Sequence, residues 1–326
     1  MQGIKACLIG SITSILCFAC SKEQPEIVIE ITEPTVATIN GLEYTFYTDH
    51  TAQLNVQQHE LISEVEIPMY VKFQGIEYEV TRIVDNALKG HDEVKFLRLN
   101  CKAPSVGNSV FSDMTSLKKV IYNIVDHEAN YVYTDYLYRE PTFDGTNNIE
   151  SIDFGSDVRS TIPFFFRSTK NVKKIVIPDN VEGIGNDTFV GMSDLEEVTL
   201  GKGIKHIWFA AFGRCIKLKT VNYNCEDCIV PDHYHNSYYF PFGENTTNLS
   251  VLNIGSDVKN IPSVLFSSVT SFEVIKISAK IPPTCDHTNN FNTRVKQKAT
   301  LYVPSASLQA YKTDAVWGQF GKIVAE

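Results

Sequence analysis

The chain has 326 residues, of which 43% are hydrophobic, and its net charge at neutral pH is −9. The apolar fraction is sufficient for a buried core. An acidic chain is not expected to bind nucleic acid, because that affinity comes from cationic side chains that neutralise phosphates. The composition therefore predicts a folded protein and excludes nucleic-acid binders.

Residues 1–19 predict an export signal. Lys5 gives a short basic start, and residues 6–19 form an apolar run without any charge. This run is too short to span a bilayer as a helix, which takes about 20 apolar residues. Because Lys5 is the only charged residue in the signal, its removal changes the net charge of the chain to −10.

The residues around Cys20 are similar to a bacterial lipoprotein signal. The apolar run ends Cys17-Phe18-Ala19-Cys20, and a polar segment follows at once. The resemblance implies cleavage before Cys20 and attachment of a lipid to its sulfur. It also implies that residues 20–34 are a lipidated tether, and that the protein is exported and anchored to the outer membrane or cell surface of a Gram-negative bacterium. An ordinary secretory signal is the alternative.

Residues 35–90 predict a β-structured unit with two hairpins. Alternating apolar residues flank Asn40-Gly41 and, further on, Gln74-Gly75. An Asn-Gly pair suits a type I′ turn, in which both central residues have positive φ. We interpret this unit as an N-terminal cap that covers the apolar end of the repeats that follow.

The central part of the chain is built from repeated units with a 23-residue period. Apolar positions return in step across residues 172–223, as in Ile175, Val198 and Val221. Phenylalanine recurs with the same step at Phe189 and Phe212. A fixed period of this kind is typical of stacked units that bury one apolar row against the next. Residues 91–300 are therefore predicted to form a parallel strand ladder.

The repeat resembles a known family. Its opening apolar pattern is that of a leucine-rich repeat strand. The segment VIPDNVEGIGNDTF, residues 176–189, resembles the BspA-type leucine-rich repeat of bacterial surface proteins. The resemblance covers about residues 80–326. It implies a mainly β repeat solenoid and a role in adhesion to host or partner proteins.

Two breaks in the period predict insertions near residues 124–143 and 225–242. The matched apolar positions stand further apart there than in the other units, for example between Leu117 and Ile149, and the chain returns each time through Gly-Ser-Asp-Val. Insertions in equivalent turns fall on one side of a repeat protein. The aromatic residues of the two insertions are the predicted partner-binding residues, with a local apolar lid as the alternative. These residues are Tyr131, Tyr133, Tyr136, Tyr138, Tyr234, Tyr238, Tyr239 and Phe240.

Residues 301–326 are predicted to form a C-terminal cap. Leu301–Val303 is expected to be the last strand, and Pro304 to end it. A short helix is expected at Ser307–Lys312. The apolar residues expected to cover the last repeat are Trp317, Phe320 and Ile323.

Cys225 and Cys228 belong to the one metal-like arrangement in the sequence, together with His233 and His235. Four such ligands could hold zinc, although zinc sites usually place the second ligand pair a dozen or so residues further on. A local disulfide or plain core packing is the preferred interpretation. Cys215 stands at an apolar position of the repeat and is expected to be a buried hydrophobic residue.

The sequence contains none of the common catalytic motifs, and we expect neither enzyme activity nor a cofactor. Two functional hypotheses follow. In the first, the protein binds a host or neighbouring-cell surface protein as an adhesion module. In the second, it is a carbohydrate-binding lipoprotein of a surface glycan uptake system. In either case, contact with the membrane is expected through the lipid anchor alone.

Overall fold

The structure of the protein is a computed structural model. The residues that it describes are 15–16, 28–102, 105–125, 141–230, 240–243, 246–285 and 290–326. In these ranges the chain is mainly β-structure, and no helix is both long enough and apolar enough to cross a bilayer.

The first part of the chain is made of short strands. Strands β1 (Ile15–Leu16) and β2 (Val28–Ile29) pair in antiparallel fashion. The next strands are β3 (Thr35–Ile39), β4 (Leu42–Phe46), β5 (Thr51–Leu54), β6 (Glu64–Ile67), β7 (Tyr70–Phe73) and β8 (Ile76–Ile83).

Both predicted hairpins are present. Strands β3 and β4 pair around Asn40-Gly41, and strands β7 and β8 pair around Gln74-Gly75. All four turn residues have positive φ, with values of 50° and 81° in the first turn and 51° and 83° in the second. This is the conformation that a type I′ turn requires. Strand β5 joins the two hairpins, because it pairs with both β4 and β8.

The repeat region continues with short strands and ends with two short helices. In chain order these are β9 (Phe96–Leu99), β10 (Ser105–Val106), β11 (Lys119–Tyr122), β12 (Ser151–Phe154), β13 (Lys174–Ile177), β14 (Gly183–Ile184), β15 (Glu197–Leu200), β16 (His206–Ile207), β17 (Thr220–Tyr223), β18 (Val251–Ile254), β19 (Asn260–Ile261), β20 (Val274–Ile277), β21 (Thr284–Cys285), α1 (Thr293–Lys298), β22 (Thr300–Val303), α2 (Leu308–Thr313) and β23 (Lys322–Ala325).

Two parallel sheets form one side of the repeats. The first has the strand order β6-β9-β11-β12, and the second has the order β13-β15-β17-β18-β20-β22-β23. In the second sheet Glu197 pairs with Thr220, one full period along the chain, and β13 pairs with β15 by the same offset. At the two insertions the partners stand further apart in the sequence, since Lys119 pairs with Ser151 and Thr220 pairs with Val251. The pairing therefore follows the spacing in the sequence.

Strands β12 and β13 lie next to each other, but in the described part of the chain no backbone pairing joins them. In the preceding unit the N–H of Gly155 donates to the carbonyl of Tyr122 (2.9 Å). At the corresponding place after β13 stands Pro178, which has no N–H to donate. The two units remain joined on their other side, where the N–H of Phe166 donates to the carbonyl of Thr188 (3.0 Å). The gap is therefore confined to the sheet side.

A stack of phenylalanine rings runs through the core. Phe189 lies nearly parallel to Phe166 (centroids 5.7 Å apart, planes at 2°) and to Phe212 (5.1 Å, 11°). Phe212 stacks in the same way on Phe242 (5.0 Å, 7°). All four rings are fully buried. The predicted match of Phe189 with Phe212 is confirmed.

The turns that carry these phenylalanines satisfy their backbone groups between units. The N–H of Phe189 donates to the carbonyl of Ala211 (2.9 Å), and the N–H of Gly191 donates to that of Gly213 (2.8 Å). Asp187, which opens one such turn, has a φ of 51°. Buried backbone groups must be paired, and these bonds pair them on the side opposite to the sheets.

The C-terminal prediction needs one correction. Strand β22 is not the last strand, because β23 pairs with it in parallel and forms the end of the sheet. The short segment of β23 lies outside the repeat pattern and becomes a strand through this pairing, with Ile323 packed against the core. Helix α1 was also not predicted. The expected burial of Trp317 and Phe320 is confirmed.

Candidate functional site

The two predicted insertions leave the repeats at equivalent points. The N–H of Asn123 after β11 and that of Asn224 after β17 each donate to the end of the preceding strand (2.8 and 3.1 Å). Beyond this point the two segments differ, because Val125 forms an isolated bridge three residues after β11, whereas Ile229 forms one six residues after β17. Both predicted insertions thus follow directly on a strand of the sheets.

The chain also re-enters the repeats in the same way after each insertion. The N–H of Phe111 donates to the carbonyl of Thr142 (3.0 Å), and the N–H of Phe212 donates to that of Pro241 (2.8 Å). Each bond joins the returning chain to the phenylalanine turn of the preceding unit. We call this shared place of return, at Thr142 and Pro241, the insertion corner.

Most of the predicted binding residues lie outside the described residues. The exception is Phe240, which stands where the second insertion returns and whose side chain is half-buried. The prediction that these residues contact a partner stays a prediction. The others are Tyr131, Tyr133, Tyr136, Tyr138, Tyr234, Tyr238 and Tyr239.

Cys225 and Cys228 are fully buried free thiols. Burial raises the pKa of the Cys225 thiol well above its ordinary value. Asn260 holds this turn, because it accepts from the N–H of Cys228 (3.0 Å) and donates to its carbonyl (2.8 Å). Of the two preferred interpretations, the structure has core packing and no disulfide. His233 and His235 lie outside the described residues, and so does Cys20.

The described ranges hold no group of three or more His, Cys, Asp and Glu side chains that could bind a metal ion. Cys215 is fully buried, as predicted from its apolar position. Burial raises the pKa of its thiol to about 12. It therefore acts as a small hydrophobic residue of the core.

Sequence reasoning missed a row of uncharged polar side chains on the outward face of β15, β17 and β18. Asn222 donates to Thr199 Oγ1 (3.0 Å) and to Glu197 Oε1 (3.0 Å), and Asn253 donates to Asn222 Oδ1 (2.8 Å). We call Thr199, Asn222 and Asn253 the amide row. Its signal in the sequence is the amide or hydroxyl residue that recurs at the outward third position of these strands.

A second missed feature is the open cleft where β12 and β13 separate. Its volume is about 670 Å³, and its lining includes Asp153, Lys174 and Val176. The charges at its rim are paired, since Lys119 Nζ lies 2.6 Å from Asp153 and Lys174 Nζ lies 2.9 Å from Glu197. Such exposed pairs are screened by water and contribute little to binding or stability.

The carboxyl group of Asp187, the residue that begins one of the phenylalanine turns, has a raised pKa. Burial raises the pKa of Asp187 to about 6, although the nearby Arg167 and Arg214 act in the opposite direction. The guanidinium of Arg167 also lies over the ring of Phe164 (5.8 Å). Nothing in the sequence pattern distinguishes Asp187 from the other, exposed acids.

The comparison with family models identifies the repeats. Residues 138–240 and 223–288 match the BspA type leucine rich repeat region, in six copies. Together the matched residues span 138–288, a little under half of the chain. The resemblance first seen in residues 176–189 is thereby confirmed. A comparison with curated proteins gives no match.

Solved structures similar to this chain include bacterial leucine-rich repeat proteins. One from Bacteroides ovatus is 18% identical, covers 89% of this chain and 76% of its own, and has a TM-score of 0.41. A leucine rich cell surface protein from Faecalibacterium prausnitzii is 14% identical (90% and 95% covered, TM-score 0.35). The pneumococcal vaccine antigen PcpA is 14% identical (90% and 99% covered, TM-score 0.31). Similarity at this level carries no conclusion about function.

Proposed function

We propose that this protein is an exported, lipid-anchored surface module that binds another protein through a rigid repeat solenoid. In this proposal the repeats keep a 23-residue period, residues 35–90 cap their N-terminal end, and residues 301–326 cap the other. The protein is not an enzyme and needs no cofactor. Its partner is a surface protein of a host or neighbouring cell.

The observation that carries the proposal is the shared insertion corner. Both insertions return to the repeats through equivalent bonds, from Phe111 to Thr142 and from Phe212 to Pro241. In this proposal the aromatic residues of both insertions contact one partner. Four unit steps separate the two insertions, which at about 4.8 Å per step is roughly 20 Å. One protein partner can span that distance. Tyrosine suits such a contact, since it offers a large ring with a polar tip.

Tyr133→Ala combined with Tyr238→Ala is expected to abolish capture of a partner identified on an array of surface proteins and glycans. The melting temperature should stay nearly unchanged, because in this proposal the two tyrosines contact the partner and not the core. Tyr70→Ala is the matched control, since Tyr70 is an exposed tyrosine of β7. If the double variant melts much earlier and still binds per folded molecule, the rings are core residues and this site is wrong.

Cys20→Ser is expected to abolish lipid attachment. The unchanged protein should partition into the detergent phase and incorporate a fatty-acid probe, whereas the variant should do neither. Cys285→Ser provides a control, because Cys285 is a partly exposed cysteine of β21. Equal labelling of the Cys20→Ser variant would rule out this anchor.

The second candidate function is glycan binding within a surface uptake system, and the amide row favours it. Its amides and hydroxyls lie side by side on an outward strand face, and such groups form hydrogen bonds with sugar hydroxyls. Asn222→Ala on the same array separates the two functions. Loss of glycan capture in this variant, with capture intact in the tyrosine double variant, would favour the second function over the first.

A further inference from the structure

The parallel sheets end in two strands with an unpaired edge. In the described ranges β6 pairs only with β9, at the N-terminal end, and β23 pairs only with β22, at the C-terminal end. All strands of the two sheets run parallel. A free edge of this kind can extend its ladder with a strand from another chain.

The backbone groups on the free edge of β6 follow from its bonds to β9. The N–H of Phe96 donates to the carbonyl of Ser63 (3.0 Å), and that of Asn100 donates to the carbonyl of Ile67 (2.8 Å). Backbone groups alternate between the two sides of a strand. The N–H and C=O groups of Glu64 and Glu66 therefore point away from β9.

The same reasoning gives the free edge of β23. The N–H of Glu326 donates to the carbonyl of Val303 (2.9 Å), so Lys322 and Val324 also turn their backbone groups toward β22. The N–H and C=O groups of Ile323 and Ala325 then point outward. Each edge thus presents two N–H and two C=O groups to solvent.

The outward N–H and C=O groups of β6 and β23 match each other when the two strands are placed side by side in parallel. With Glu64 placed beside Lys322, the N–H of Glu66 reaches the carbonyl of Ile323. In the other direction, the N–H groups of Ile323 and Ala325 reach the carbonyls of Glu64 and Glu66. Val65 then continues the inward apolar row of Ile323. The side chains of Glu64 and Lys322, which have opposite charges, become neighbours on the outward face.

The two ends of the protein also carry opposite net charges. Residues 30–67 contain seven acidic residues and no lysine or arginine. Residues 293–326 contain five lysines and arginines and two acidic residues. Opposite charges on two facing surfaces speed their encounter and fix their orientation. The charge distribution therefore favours contact of one end with the other end of a second molecule.

An apolar cleft beside β6 leaves room for an added strand. Its volume is about 450 Å³, and it lies between β6 and the hairpin of β3 and β4, with Ile39, Leu42 and Val65 in its lining. Ile62, at its rim, is 71% exposed. An apolar surface of this kind gains stability when a partner covers it.

We propose that a second copy of this chain docks its β23 against β6, so that the molecules associate head to tail. Since β6 and β23 lie at opposite ends of the ladder, they cannot meet within one molecule. Each contact leaves one free edge at either end of the pair. The association is therefore heterologous and open, and it extends to chains of molecules. It is independent of the insertion corner and of the proposed function.

Zero-length carbodiimide cross-linking of the full chain tests the contact directly. Equal amounts of ¹⁵N-labelled and unlabelled protein are mixed in detergent, with micelles in excess over protein. We expect an amide bond between the Glu64 carboxylate and the Lys322 amine, formed with loss of water. Mass spectrometry should find the peptide of Glu64 from one isotope joined to the peptide of Lys322 from the other.

Charge variants test the same contact by sedimentation velocity over a range of protein concentrations. Glu64→Lys and Lys322→Glu should each weaken association about tenfold or more through like-charge repulsion, and the double charge exchange should restore it. Glu66→Pro should also prevent association, because it removes an outward N–H that β9 does not use. Glu66→Ala is its control and should associate like the unchanged protein.

Three results would overturn the proposal. One is a monomer at every concentration without mixed-isotope cross-links. Another is a double charge exchange that folds, as shown by its melting curve, but does not restore association. The third is cross-linking of Glu64 in intact cells to a different protein and not to Lys322, which would assign the β6 edge to another partner.

Discussion

Phe189→Ala is expected to lower the free energy of unfolding by about 3–5 kcal/mol, the usual cost of deleting a buried aromatic ring. The ring is fully buried and stacked on Phe166 on one side and on Phe212 on the other. Its loss leaves a cavity that the rigid units on both sides cannot close. Phe212→Ala should have an effect of the same size. Chemical unfolding measures both.

Lys173→Ala is the control for these variants. Lys173 is exposed, so its replacement should cost less than about 0.5 kcal/mol. Similar losses in all three variants would contradict the assignment of inward and outward positions. So would a phenylalanine variant that unfolds like the unchanged protein.

Asp187→Asn is expected to stabilise the protein at pH 7 by at most about 2–3 kcal/mol, because it removes a half-buried charge. The pKa of Asp187 is raised from 3.8 to about 6 in the folded protein. The folded state therefore binds the proton more tightly than the unfolded state. The resulting stability is fully present below about pH 4 and is lost as the pH rises through about 6. Asparagine also suits the positive φ at this position.

Unfolding free energies of the unchanged protein and of the variant are compared at intervals from pH 4 to pH 7.5. The difference between them should grow from about pH 4 to about pH 6 and then level off, while other titrating groups cancel. Asp257→Asn, which replaces an exposed carboxyl, is the control. A difference that is independent of pH, or a variant less stable at pH 7, would contradict the burial of this charge.

The register of the repeats could be predicted from the sequence because every inward position faces the core. Ile175, Val198 and Val221 recur once in each period, and the structure pairs their strands with the same offset. The hairpins could be predicted for a different reason. Asn40-Gly41 and Gln74-Gly75 tolerate positive φ, and the flanking residues alternate.

Features that depend on single contacts could not be predicted. Strand β23 has no repeat pattern and becomes a strand only through its pairing with β22. The gap before β13 coincides with Pro178, a residue that is compatible with the repeat consensus. The raised pKa of Asp187 arises from its burial, which the sequence does not reveal.

The candidate site could be predicted only in part. The interrupted period predicts both insertions, and the bonds to Thr142 and Pro241 bring both back to the repeats at equivalent places. The amide row was missed because outward positions vary freely along a repeat. Asn222 and Asn253 differ from other outward residues only through the hydrogen bond between them.

Hydrogen–deuterium exchange with and without the captured partner tests the central claim most directly. Binding through the insertion corner predicts slower exchange at residues 126–140 and 231–239 together, with little change on the outward face of β15, β17 and β18. Both insertions should respond at the same partner concentration, since one partner spans them. Slower exchange at the backbone amides of Thr199, Asn222 and Asn253, with both insertions exchanging as in the free protein, would contradict this claim.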